Sequence, residues 1–355
     1  MNTKKTALSF AAVGTVAGVA GLVLLASPAG AGEAPPALPP IGADELVESV
    51  LSTEVPALGG SVALENNLGL PIPGLPTSIG GGDSVRVFTD GEGRGRISMP
   101  ERGSETTVID DGKTVWVWNS AERTVEKMAH GAGHEGKTPL EGKFADPASA
   151  ARDLVDAMQA DSTVDVDGTA RVAGRPVYQL VLAPKPTERT LLREIRVSVD
   201  EETRVPLQLE VLANGQSDPA LKVGFTEFTD GPQDPELFKF TPPAGATVKE
   251  HDPREEFEGK GPEELFSELD LQTVGRGWDT VLTGSLPDGA LDMGTGEPGE
   301  RDAMAMLTRF AKEVHGDFGT GWVVSAKVGT ALITEDGQVA VGAVPQQVLI
   351  EALAE

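Results

Sequence analysis

Apolar and polar positions alternate with a period of two along much of the chain. Ser61–Glu65, Ser84–Thr89, Arg94–Met99, Thr106–Ile109, Thr114–Trp118, Ala121–Met128, Thr163–Val172 and Pro176–Ala183 each have the length and content of a strand. The alternation is most regular in Arg193–Asp200, Val205–Val211 and Leu221–Phe228, and the run ends on the apolar tail Phe238–Val248. Turn residues separate consecutive runs at Asp90–Gly93, Asp110–Lys113, Ala173–Arg175 and Glu201–Thr203, so the pattern predicts a meander of antiparallel hairpins. A 3.6-residue period replaces it in two places. Leu46, Val47, Val50 and Leu51 predict a short amphipathic helix over Ala43–Leu51; Ala151, Leu154, Val155 and Met158 predict another over Pro147–Ala160, with Asp146 at its N-cap.

The period is lost in the charged stretch 251–261, which is read as a linker. Beyond it the pattern predicts a small α+β unit over 262–355. Its elements are a helix at Pro262–Leu269, a strand near Trp278–Leu282, a loop at Gly284–Gly299 and a helix at Arg301–His315. Strands follow at Trp322–Lys327, Thr330–Thr334 and Val339–Val344, and Pro345 opens a last helix to Ala354. At the other end, Lys4 and Lys5 precede an apolar run from Ala7 to Ala26 and a small-x-small site ending at Ala31. Residues 1–31 therefore read as a secretory signal, or as an anchor left uncleaved, which puts the body of the protein outside the cytoplasm. Residues 32–42 are a Pro-rich linker, and 43–250 form the main domain.

The net charge of −26 disfavours nucleic-acid binding, because the surface repels phosphate backbones. With no cysteine, the chain has no disulfide, thiolate catalysis or thiolate metal site. His130 and His134 have a metal-like spacing, but they lie in a Gly-rich loop without further ligands, so no metal is expected. P-loop, nucleophile-elbow and zincin motifs are all missing, and the chain is read as a binding protein with no cofactor, not an enzyme.

Several segments together resemble the LolA-like family of bacterial envelope proteins. They are the short N-terminal helix, Asp111-Gly-Lys-Thr-Val-Trp116-Val-Trp118, Gly174-Arg-Pro-Val-Tyr178-Gln-Leu180, Val199-Asp200-x-x-Thr203-x-x-Pro206 and Phe238-x-Phe240-x-Pro-Pro-x-Gly245-Ala246. The resemblance implies an α+β, mainly β fold: an unclosed antiparallel β-barrel around an apolar cavity, with lid helices. The small C-terminal unit would match the second domain of the family's MucB/RseB-type envelope-stress regulators. It implies an acyl chain of a lipid or lipoprotein as ligand, with a single-span membrane protein as the alternative partner. Trp116, Trp118, Tyr178, Leu180, Leu207 and Leu209 are the candidate cavity residues. The oily, Pro-rich segment holding Leu70, Ile72, Leu75 and Ile79 is a candidate flap over the cavity mouth.

Overall fold

The computed structural model describes residues 35–69, 78–79, 84–101, 103–129, 158–250, 272–286 and 311–354. The flap residues Leu70, Ile72 and Leu75, the histidines His130 and His134, and most of the helix expected over 147–160 lie outside them, as do the leader and the linker 251–261.

A large sheet carries the first part of the chain. Helix α1 (Ala43–Ser52) precedes β1 (Leu58–Asn66), β2 (Ser78–Ile79), β3 (Val85–Thr89), β4 (Gly95–Glu101), β5 (Ser104–Asp110), β6 (Thr114–Asn119) and β7 (Thr124–Ala129). After these come β8 (Ser162–Val172), β9 (Arg175–Pro184), β10 (Leu192–Asp200), β11 (Pro206–Ala213), β12 (Leu221–Asp230) and β13 (Thr247–Glu250). The strands lie side by side as β13-β7-β6-β5-β4-β3-β1-β12-β11-β10-β9-β8, with β2 also on β1. Two meanders, β3–β7 and β8–β12, thus meet where β1 pairs β12. The two outermost strands do not pair, so the sheet is an open barrel, antiparallel throughout except for the parallel pair β13–β7.

The sheet curls at the β8–β9 end. In a flat sheet, β9 and β12 would stand roughly 14 Å apart, three strand spacings. Arg175 on β9 nevertheless reaches Asp230 at the end of β12, 3.6 Å away, and its guanidinium lies 5.7 Å from the Phe228 ring centre. Val172 and Val177 join Leu58, Val62, Leu207, Val223 and Phe225 in the main core. Gly60 permits this packing, because a Cβ there would sit 2.6 Å from the Phe225 ring and 2.2 Å from the Glu227 carbonyl.

From β12 the chain crosses seven strand spacings to reach the far edge and form β13. This strap is pinned along its course. The Leu237 carbonyl accepts from Arg96, Phe238 is buried beside Arg94, and Phe240 packs on Trp116 with ring centres 5.7 Å apart. Arg123 Nη2 donates to the Ala244 carbonyl at 2.7 Å, and Lys127 pairs with Glu250.

A second sheet, ordered β14-β15-β19-β18-β17-β16, is built from β14 (Gln272–Val274), β15 (Val281–Ser285), β16 (Lys312–Gly316), β17 (Gly319–Ser325), β18 (Thr330–Thr334) and β19 (Gln338–Gly342). Helix α2 (Gln346–Ala352) covers one face through Val348, Leu349 and Ala352. Two expectations are corrected here. Lys312–Gly316 is a strand and not the end of a helix from Arg301: pairing with β17 overrides a helical period that only Val314 supports among the residues of β16. Trp278 lies in a 3-10 turn, Gly277–Asp279, with the strand beginning at Val281. The sheets dock through the Leu191 amide and Thr190 hydroxyl to the Ala343 carbonyl, Lys327 N–H to the Leu68 carbonyl, and Trp278 Nε1–H to Ser162 Oγ. Among the described residues, no helix is long and apolar enough to cross a membrane.

Candidate functional site

Directly opposed residues of antiparallel strands share a face, so the registers define rows of side chains running across the sheet. One row reads Val166, Leu180, Val197, Leu209, Val223 and Leu64, from β8 through to β1. A second, two residues along each strand, reads Val164, Leu182, Ile195, Val211 and Leu221. Val62, alternating with Leu64, opposes Val85, and the same face continues through Val87, Ile97, Val108 and Val117. The result is one apolar face, continuous from β6 to β8.

Helix α1 lies on it. Leu46 is buried against Tyr178 and Val199, with Leu38, Ile41, Val50, Val166, Leu180 and Val197 around them, and Tyr178 OH donates to the Pro39 carbonyl at 3.0 Å. The helix covers only part of the face. Leu180, Leu182, Ile195, Val197, Leu209, Val211 and Leu221 are all half-buried, a contiguous set of large apolar side chains that retains access to solvent. Isolated exposed apolar residues are ordinary, but a joined set over four strands is a binding surface in form.

The candidate residues separate on this frame. Leu180 and Leu209 stand in the half-buried rows, while Tyr178 is buried beneath helix α1. Leu207 is buried in the main core with Val177 and Phe225. Ile79 pairs with Leu64. Trp116 and Trp118 share a face, as their spacing requires, but it is opposite to that of Val115 and Val117. Trp116 there donates to Asp111 Oδ2 at 3.1 Å and packs against the strap.

The opposite face has another chemistry. Glu65, Lys222, Glu210 and Arg196 are directly opposed in one row. Lys222, only 6% exposed, pairs with Glu65 at 3.1 Å, and Arg196 reaches Glu194 at 2.6 Å and Glu210 at 3.8 Å. Burial pushes the Glu210 carboxyl up, against the pull of Lys222 and Arg196. At the end of β10, buried Asp200 accepts two hydrogen bonds from Arg175, at 2.9 and 2.8 Å. Burial alone would raise its carboxyl, but Arg175 and Thr203 outweigh that and hold it below the usual range.

A separate cleft of about 510 Å³ lies between the sheets, lined by Asp161, Glu188, Arg189, Arg276, Asp279 and Glu351 among others. Its charged lining suits water or ions and lies apart from the apolar rows. Among the described residues, no cluster of His, Asp and Glu is placed to hold a metal.

No family model matches the chain, and no curated protein matches it. Solved structures do. A chain of the Pseudomonas aeruginosa MucA/MucB complex is 16% identical, with a TM-score of 0.42, over 87% of this chain and 96% of that one. A LolA-superfamily protein from Nitrosomonas europaea is 10% identical, with a TM-score of 0.18, over 85% of this chain and 90% of that one. An outer membrane lipoprotein-sorting protein domain from Vibrio parahaemolyticus is 9% identical, with a TM-score of 0.16, over 83% of this chain and 85% of that one. These neighbours are thus MucB and LolA-superfamily or lipoprotein-sorting proteins by their own descriptions.

Proposed function

We propose that the protein is an exported acyl-chain-binding protein, holding the chain of a lipid or lipoprotein on the apolar rows beside helix α1. The observation that carries this reading is the joined, half-buried set Leu180, Leu182, Ile195, Val197, Leu209, Val211 and Leu221. Burial of each CH₂ contributes about 0.8 kcal/mol. About ten of them offset the cost of association without any polar constellation. The absence of catalytic motifs in the sequence fits a site that works by contact area alone.

Native mass spectrometry of the full chain, purified from its own host, tests the reading. The expected result is an added acyl-bearing mass that organic solvent removes and that Leu209→Asp abolishes without unfolding the protein. A chain that stays bare after incubation with total lipid extract, or a Leu209→Asp variant as loaded as the parent, argues against it.

A second reading, docking of a membrane-anchored protein partner as in MucB/RseB-type regulators, is favoured by one observation on the second sheet. Leu282 and Val341 oppose each other on the face away from helix α2 and are 39% and 44% exposed. Capture of a single-span membrane protein, lost in a Leu282→Asp/Val341→Asp variant, would support it.

A further inference from the structure

Arg204 occupies a position that suits glycine. It closes the turn between β10 and β11 with φ +58, in the left-handed region, where a non-glycine residue costs about 1 kcal/mol. The other arginine held this way, Arg123 at φ +54, uses its guanidinium to grip the Ala244 carbonyl of the strap. Arg204 has no such engagement. Its guanidinium lies over the Tyr178 ring, 5.5 Å from the ring centre, and its Nη1 is buried without a hydrogen-bond partner among the described residues. A guanidinium stays protonated, so a buried, unmet N–H on it is a strong demand for an acceptor, best met by an anion.

The acids of the same turn do not meet that demand. Asp200 is held by Arg175 and Thr203, and Glu202 also pairs with Arg175. The position relative to the apolar rows is specific. Tyr178 alternates with Leu180 along β9 and so stands on the helix-covered face, where the rows reach the β10–β11 turn. Thr169 opposes Tyr178, and Arg171, two residues on, puts a second cation at the same end of that face. In a chain of net charge −26, a basic spot at the end of an oily surface has the layout that an amphiphile requires.

We infer that Arg204 anchors the anionic headgroup of a single-chain amphiphile whose tail lies on the Leu180–Val197–Leu209 rows. The inference rests on the acyl-binding reading and adds the class of headgroup, an oxyanion: a fatty-acid carboxylate or a phosphate monoester.

Calorimetric titration of the full chain at neutral pH with laurate, dodecyl phosphate, dodecanol, dodecyltrimethylammonium and inorganic phosphate separates the possibilities. Expected is a preference of about tenfold or more for one or both anionic amphiphiles over dodecanol, the size of one charge-assisted hydrogen bond. The cationic amphiphile should bind more weakly than dodecanol, and inorganic phosphate should not bind. Which anion binds tighter tells a carboxylate source from a phosphate source. Arg204→Gln should abolish the preference and leave dodecanol affinity unchanged; Arg204→Lys should restore part of it. Anions and dodecanol bound equally by the parent protein would overturn the inference while the acyl-binding reading stands, whether or not the variants fold. So would a preference that persists in Arg204→Gln, or inorganic phosphate bound as tightly as the amphiphiles. Failure of dodecanol, laurate and dodecyl phosphate alike removes the acyl-binding reading and the inference together.

Discussion

Leu180, Val197, Leu209 and Val223 line up across four neighbouring strands on one face of the large sheet. One residue away along each strand, on the other face, stand Val181, Arg196, Glu210 and Lys222. The two rows share the same backbone ladder and differ in what their side chains must find. The apolar row needs only cover, and helix α1 supplies part of it. The ionic row needs partners at specific distances, and it finds most of them in Glu65 and Glu194 as well as within itself, with buried Arg196 Nε left without one among the described residues. Half-covering the first row leaves usable surface; half-satisfying the second would cost about 1–3 kcal/mol for each group left unmet. An open binding surface is therefore tolerable on one face only.

The largest way to disturb that arrangement lies at the curl that separates the faces. Asp200→Ala leaves the Arg175 guanidinium with only Glu202 and Asp230, both more exposed, and removes the acceptor that holds the β10–β11 turn. A loss of about 3 kcal/mol is expected in urea unfolding, the low end for breaking a buried pair. Next comes a contrast within the apolar face. Leu207→Ala, in the closed core, should cost about 2–3 kcal/mol, the low end for a buried leucine, whereas Leu209→Ala, in the half-buried row, should cost about 1 kcal/mol. Equal losses would mean that the row is packed rather than open. The smallest effect concerns the ionic row. Burial raises the Glu210 carboxyl above its ordinary 4.5, so it holds its proton more tightly folded than unfolded. Its favourable contribution is full below that ordinary value and lost as pH rises through the raised one. Glu210→Gln should therefore gain on the parent in thermal melts as pH rises above 4.5. A gap constant across that range would contradict the sign.

Much of the large sheet could be read from the chain because each strand alternates and each turn carries its own signal. The pairing β10–β11–β12 follows from Arg193–Phe228 almost residue for residue. What alternation leaves open is which of two faces is inward. Val115-Trp116-Val117-Trp118 is apolar at both phases, so a period of two puts the tryptophans together without saying where they point. The path of the strap was equally hidden, since Phe238–Val248 reads as an oily tail whatever it crosses. The same alternation groups Leu207 with Leu209. The irregular pairing between Ser198 and Val199 moves the local register there, and no residue type announces it. Arg204 left no trace in the pattern, because an arginine in a turn looks like any other solvated charge until its φ is known.

The strap also dictates the order in which the molecule can be assembled. β13 pairs with a strand whose residues lie 123 positions earlier, as in the contact between Lys127 and Glu250. A chain that emerges from its N-terminus therefore presents the β3–β7 hairpins long before their edge is closed. Until residues 247–250 arrive, β7 offers free N–H and C=O groups to any passing strand, and Trp116 lacks Phe240. Closure over so long a stretch is slow. The same link that finishes the fold makes its first half the part most in need of a chaperone while the chain folds.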